Sequence, residues 1–66
     1  MQIMVNDTRH DVRATTLAAL LEELGYDGNA RIATAVEGSF VPRGQRMSMV
    51  LREGARVEIL APMQGG

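Results

Sequence analysis

The sequence predicts an α+β fold, with one mixed sheet of four to five strands and a single main helix packed across one face. Three observations carry that prediction. Leu17, Leu20, Leu21 and Leu24 form an apolar stripe at helical spacing. Segments of alternating apolar residues stand on both sides of it, at 2–5, 30–36 and 55–60. Short polar or glycine-containing turns, Asn6-Asp7, Glu37-Gly38-Ser39 and Glu53-Gly54, punctuate the chain.

The elements follow in order. "QIMV" at 2–5 is a strand with Ile3 and Val5 on one face and Gln2 and Met4 on the other. Asn6-Asp7 suits a turn because short polar side chains tolerate the left-handed backbone region. "TRHDVR" at 8–13 is a weaker partner strand anchored inward by Val12, which completes a hairpin. "TTLAALLEELG" is the helix. Thr15 or Thr16 supplies an N-cap oxygen, and Gly25 fits the left-handed position just past the end. Ala18, Ala19, Glu22 and Glu23 are good helix formers off the stripe. The leucine stripe itself reads as core, not as a ligand site.

Tyr26 to Asn29 is a polar connection, and "ARIATAV" at 30–36 is a strand with Ile32, Thr34 and Val36 on one face. Phe40-Val41 is a short strand that Pro42 confines to a sheet edge, because proline has no N–H for a ladder. Residues 43–50 are mixed, with one helical turn expected around Met47 to Val50. "ARVEIL" at 55–60 closes the fold with Val57 and Ile59 inward and Arg56, Glu58 and Leu60 outward. A hairpin, a crossing helix and a last strand parallel to the first make the β-grasp, or ubiquitin-like, arrangement. The parallel pair needs a long crossover, which the helix supplies.

The chain has 66 residues and a net charge of −1. A domain this small hides only about 60% of the surface its unfolded chain exposes, so a binding or carrier module is favoured over a deep catalytic cleft. There is no cysteine, which excludes disulfides, thiolate zinc sites and a cysteine nucleophile. His10 stands alone, which excludes a histidine-rich metal site, and it reads as a surface or turn residue. The charge balance gives no argument for nucleic-acid binding. Residues 1–30 carry two arginines against five acids, and residues 31–66 carry five arginines against three acids, which reads as two solvated faces in preference to a docking surface of one sign. All seven basic residues are arginine, so no lysine here accepts an isopeptide bond. No run approaches the ~18 apolar residues that span a membrane. No secretion signal opens the chain. A monomeric cytoplasmic protein is expected.

No residue set supports catalysis within the fold. Glu22 and Glu23 are adjacent and diverge by about 100° around a helix. Ser39 and Ser48 have only His10 as a base, without a partner to orient it. "EGSFVPRG" has two glycines but no phosphate-loop lysine. The informative stretch is "APMQGG". Residues 1–61 are expected to form the domain and residues 62–66 a flexible tail. Pro62 marks the exit from the sheet. From Pro62 through Met63, Gln64, Gly65 and Gly66 the tail reaches up to about 17 Å. The glycines pass through a narrow channel and carry the Gly66 carboxylate at the tip. Such an arm suits delivery of a carboxylate into another protein's active site.

"MQIMVND", "TTLAALLEELG", "AVEGSFVPRGQ" and "LREGARVEILAPMQGG" together resemble the thiamine-pathway sulfur-carrier proteins, the ubiquitin-like ThiS family, over nearly the whole chain. The resemblance implies that an ATP- and magnesium-using adenylyltransferase of the ubiquitin-activating type adenylates the Gly66 carboxylate. A sulfur-donating enzyme then supplies the sulfur of a thiocarboxylate, and thiazole synthase receives it. It implies a non-enzymatic co-substrate that binds no cofactor or metal itself. The outward alternation adds a docking surface of Leu60 and Met4, bordered by Arg56 and Glu58. Three positions depart from the family pattern. Many relatives have Asn where Glu37 stands, an aromatic where Arg46 stands, and Asp where Ala55 stands. All three are expected on turns and surface. Alternative readings are the small subunit of molybdopterin synthase or a carrier in another sulfur pathway, but length and "FVPR" favour thiamine. A protein modifier joined through Gly66, or a β-grasp interaction module with an inert tail, are readings of another class.

Overall fold

The computed structural model describes residues 1–27 and 30–61. Its elements are β1 (Gln2–Val5), β2 (Thr8–Asp11), α1 (Leu17–Glu23), β3 (Ala33–Val36), β4 (Ser39–Val41), a 3₁₀ helix (Arg43–Gln45) and β5 (Arg56–Leu60). The five strands form one sheet in the order β2-β1-β5-β3-β4. β1 and β5 are parallel neighbours at its centre, and the other pairs are antiparallel. This is the β-grasp arrangement, with α1 across one face.

Both hairpins close through two residues, Asn6-Asp7 between the Val5 and Thr8 pair and Glu37-Gly38 between the Val36 and Ser39 pair. All four turn residues have positive φ, at 48°, 66°, 51° and 82° in chain order. That sign at both central positions is what a type I′ turn requires, and its twist matches that of the strands. Ser39, expected in the turn, therefore belongs to β4.

α1 is seven residues long, too short to persist alone. Packing and capping hold it. Leu17, Leu20 and Leu21 are buried against Ile3, Val5, Val57 and Ile59 of the central strands and Val36 and Val41 beyond them. Each of its first four N–H groups has a partner. Leu17 donates to the Met49 carbonyl at 2.9 Å and Ala18 to the Arg46 carbonyl at 3.0 Å. Ala19 donates to Thr16 Oγ1 at 3.2 Å, and Leu20 to the Thr16 carbonyl at 2.9 Å. At the other end Gly25 takes φ 92°. Glu23 folds back, its Oε1 accepting from the Ala14 N–H at 2.9 Å and both its oxygens from the Arg13 N–H at 3.1 Å.

Several expectations are corrected. The helical turn lies at Arg43–Gln45 behind Pro42, not at Met47 to Val50. Residues 46–51 instead run beside the start of α1, where Leu51 N–H donates to the Thr15 carbonyl at 2.8 Å and Val50 bridges Thr16. Their carbonyls and N–H groups serve the helix end, which a local helical turn would prevent. β2 ends at Asp11, with Val12 buried beyond it, and β3 begins only at Ala33. His10 is no turn residue; it is half-buried in mid-β2 opposite Ile3. Arg46 and Ala55 are buried, not on the surface. Arg46 Nε donates to Thr34 Oγ1 at 3.1 Å, and its Nη2 donates to the Ile32 carbonyl at 2.7 Å. Among the described residues no helix is long and apolar enough to cross a membrane.

Candidate functional site

The strand that leads toward "APMQGG" is the place to build from. In β5, Val57 and Ile59 are buried while Arg56, Glu58 and Leu60 are exposed, the period of two that the sequence predicts. The backbone groups alternate between neighbours as well. Met4 N–H donates to the Ala55 carbonyl and Asn6 N–H to the Val57 carbonyl, each at 2.9 Å. Those odd-numbered positions therefore face β1, and the even-numbered ones face β3. Leu60 stands opposite Ala33, the last pair of that ladder.

The four docking residues expected from the sequence come together. Met4 pairs in register with Arg56, and Glu58 and Leu60 follow on the same face of β5. All four line one shallow depression on the sheet face away from α1, with Asn6 and Asp7 at its edge. Leu60 is 63% exposed, whereas Met4 is half-buried. The apolar part extends further than the sequence reading had it. Phe40 is 69% exposed and stands opposite Ala35, which in turn stands opposite Glu58. The signal was available, because an inward Val41 forces Phe40 outward in so short a strand.

The expected sulfur-bearing residue Gly66 and the expected threading residues Pro62, Met63, Gln64 and Gly65 lie outside the described residues. The chain up to Ala61 thus defines the platform from which they continue. Two side chains hold the margins of β5 there. Glu37 Oε2 accepts from the Arg56 N–H at 2.6 Å, at the strand's beginning. The Asn6 carboxamide pairs with both backbone groups of Ile59, near its end. Among the described residues, no group of three or more histidine, cysteine or acidic side chains is placed to hold a metal ion.

Fold and platform define a small ubiquitin-like β-grasp protein, with its last strand, β5, beside β1 at the centre of the sheet. The chain belongs to the ThiS family, whose family profile matches residues 3–66. Membership supports a sulfur-carrier role in thiamine biosynthesis, with partner enzymes. Two solved structures of a thiamine biosynthesis protein (ThiS) from Geobacter metallireducens share the fold. The crystal structure matches with a TM-score of 0.83 at 23% identity over 100% of both chains. The solution structure matches with a TM-score of 0.79 at 23% identity, over 100% of this chain and 88% of that one. No curated protein matches in sequence.

Proposed function

We propose that this chain is the sulfur carrier for thiazole formation in thiamine biosynthesis, and that its Gly66 carboxylate is the group that carries the sulfur. The observation behind this reading is that the family match runs through Gly65 and Gly66, five and six residues after Leu60, where the last strand ends. The chemistry explains why a carrier needs such a terminus. A carboxylate is a poor acyl donor because its leaving group would be oxide. In the first step a carboxylate oxygen attacks the α-phosphorus of magnesium-bound ATP on the adenylyltransferase, and pyrophosphate leaves. A sulfur nucleophile at the sulfide level then attacks the acyl carbon, the carbon–oxygen bond to AMP breaks, and a thiocarboxylate results. If a persulfide of the sulfur-donating enzyme attacks instead, a thiol must supply two electrons to release the thiocarboxylate. Thiazole synthase receives the sulfur while it is still tethered, so none is lost as free sulfide.

In this reading the chain performs no catalysis and works in the cytoplasm. It binds neither ATP nor metal. The partner supplies both, and the chain contributes an address and an arm. Met4, Arg56, Glu58 and Leu60 are the proposed address. Intact-mass measurement tests the reading, on protein incubated with ATP, a sulfide source and its adenylyltransferase. One oxygen exchanged for sulfur, mapped to Gly66, is the expected product. An unmodified mass with demonstrably active enzyme overturns the reading. Removal of Gly65 and Gly66 is expected to abolish the exchange.

A further inference from the structure

β5 outruns β1. The parallel ladder between them uses the Ala55 and Val57 carbonyls, and its next rung is Ile59. β1 has already ended at Val5, and the chain turns back at Asn6 with φ 48°. The N–H and carbonyl of Ile59 would therefore meet no backbone on that side. The Asn6 side chain takes both. Its Nδ2 donates to the Ile59 carbonyl at 2.9 Å, and its Oδ1 accepts from the Ile59 N–H at 2.8 Å. A carboxamide has the same donor and acceptor as a peptide group, so it serves as one more residue of β1. The backbone N–H of Asn6 completes the preceding rung at 2.9 Å from the Val57 carbonyl.

We propose that Asn6 is a positioning residue for the C-terminal arm. Its carboxamide extends the β1–β5 ladder by one rung, pins Ile59, and thereby fixes the direction in which the chain leaves the sheet after Leu60. The kinetic part of this proposal rests on the sulfur-carrier reading; the structural part does not. An arm that must place one carboxylate against ATP in another protein gains from a rigid base, because small misplacements of a reacting group cost rate steeply.

Asn6→Gly is the informative substitution, because glycine accepts positive φ and keeps the turn while losing the carboxamide. Asn6→Asp keeps an acceptor for the Ile59 N–H but sets a carboxylate oxygen against the Ile59 carbonyl. Amide hydrogen exchange at Ile59 is to be compared with Val57 of the same strand, which cancels any change in global stability. In Asn6→Gly, exchange at Ile59 is expected to rise about tenfold relative to Val57, the loss of one net hydrogen bond. In Asn6→Asp the rise is smaller. Equal ratios in all three proteins overturn the clamp. Pyrophosphate release with ATP and the adenylyltransferase provides the second readout. Asn6→Gly is expected to lower kcat at least about tenfold with KM changed by less than about twofold. A raised KM with unchanged kcat makes Asn6 a docking contact instead and overturns the positioning role. If the unsubstituted chain is not adenylated at all, the carrier reading and the role in the arm both fall, while the exchange ratios still decide whether the clamp exists.

Discussion

Arg46 is a buried guanidinium held by two neutral oxygens, and replacing it by methionine tests whether those contacts outweigh its desolvation. Its side chain is the one charged group among the buried described residues. Nε donates to Thr34 Oγ1 at 3.1 Å and Nη2 to the Ile32 carbonyl at 2.7 Å. Thr34 Oγ1 in turn donates to the Val41 carbonyl at 2.8 Å, so three segments meet through one side chain. Hydrogen bonds from a charged donor contribute about 1.5–3 kcal/mol each. Two of them taken at the lower end of that range, about 3–4 kcal/mol together, less about 1–2 kcal/mol of apolar burial recovered by methionine, leave a net loss of about 2 kcal/mol for Arg46→Met. A chain of this length has only about 3–10 kcal/mol of stability in all. The expected fall in Tm is about 8–16 °C, measured by thermal unfolding followed by circular dichroism. Arg46→Lys is expected to recover little, since a single ammonium does not reproduce the planar fork. A methionine variant that melts within about 2 °C of the parent refutes the reasoning. It would mean that desolvation cancels the contacts, as it does for many buried charges.

Substitutions at three other positions separate surface, side-chain-to-backbone and backbone-strain effects. Leu60→Asp is expected to weaken activation by the adenylyltransferase while changing stability by less than about 0.5 kcal/mol, because Leu60 is exposed; unchanged activation kinetics would rule this surface out. Glu23→Ala removes the acceptor for two backbone N–H groups, at Arg13 and Ala14. It is expected to cost about 1–2 kcal/mol in urea unfolding, with Glu23→Gln costing less. Gly38→Val is expected to cost about 1–2 kcal/mol from backbone strain alone, because φ is 82° and no atom lies within 4 Å of an added Cβ. Gly38→Asn should cost clearly less, and equal losses would place the effect elsewhere.

The parts of the fold that the sequence predicts are those whose pattern is local. Ile3 and Val5, Val57 and Ile59, and the leucines of α1 announce their faces by spacing alone, and all but the half-buried Leu24 are buried as expected. Residues 43–50 depart from the expected pattern because their conformation answers to a distant demand. The carbonyls of Arg46 and Met49 complete the N-terminus of α1, and nothing within the segment reveals that. Arg46 was misplaced for the same reason: arginine is rarely buried, and its acceptors lie 12 and 14 residues away. Of the candidate site, Met4, Arg56, Glu58 and Leu60 were legible through alternation, whereas Phe40, not among the expected site residues, stands exposed beside them. Asn6 was legible only as a turn residue. Its partner is 53 residues away in sequence, and no local pattern encodes that rung.

Glu37 and Asn6 make the same physical point from opposite flanks of β5. Each is the first residue of a two-residue turn at positive φ. Each stands where a neighbouring strand has ended and β5 has not. Glu37 closes the β3 side, its N–H donating to the Arg56 carbonyl at 2.8 Å while its carboxylate accepts from the Arg56 N–H. Asn6 closes the β1 side at Ile59. A strand longer than its neighbours exposes unpaired backbone, which costs free energy when buried and invites fraying when exposed. Shortening β5 would remove that cost, but it would also detach Leu60 from Ala33. Turn residues that lend their side chains to β5 solve the problem without shortening it. The resulting asymmetry matters for a carrier. Order reaches Leu60 on one flank through the Ala33 pair and Ile59 on the other through Asn6. Pro62 has no N–H to offer either ladder, and under the proposed function a partner on the outer face of β5 would meet a strand fixed on both flanks, at Leu60 and at Ile59.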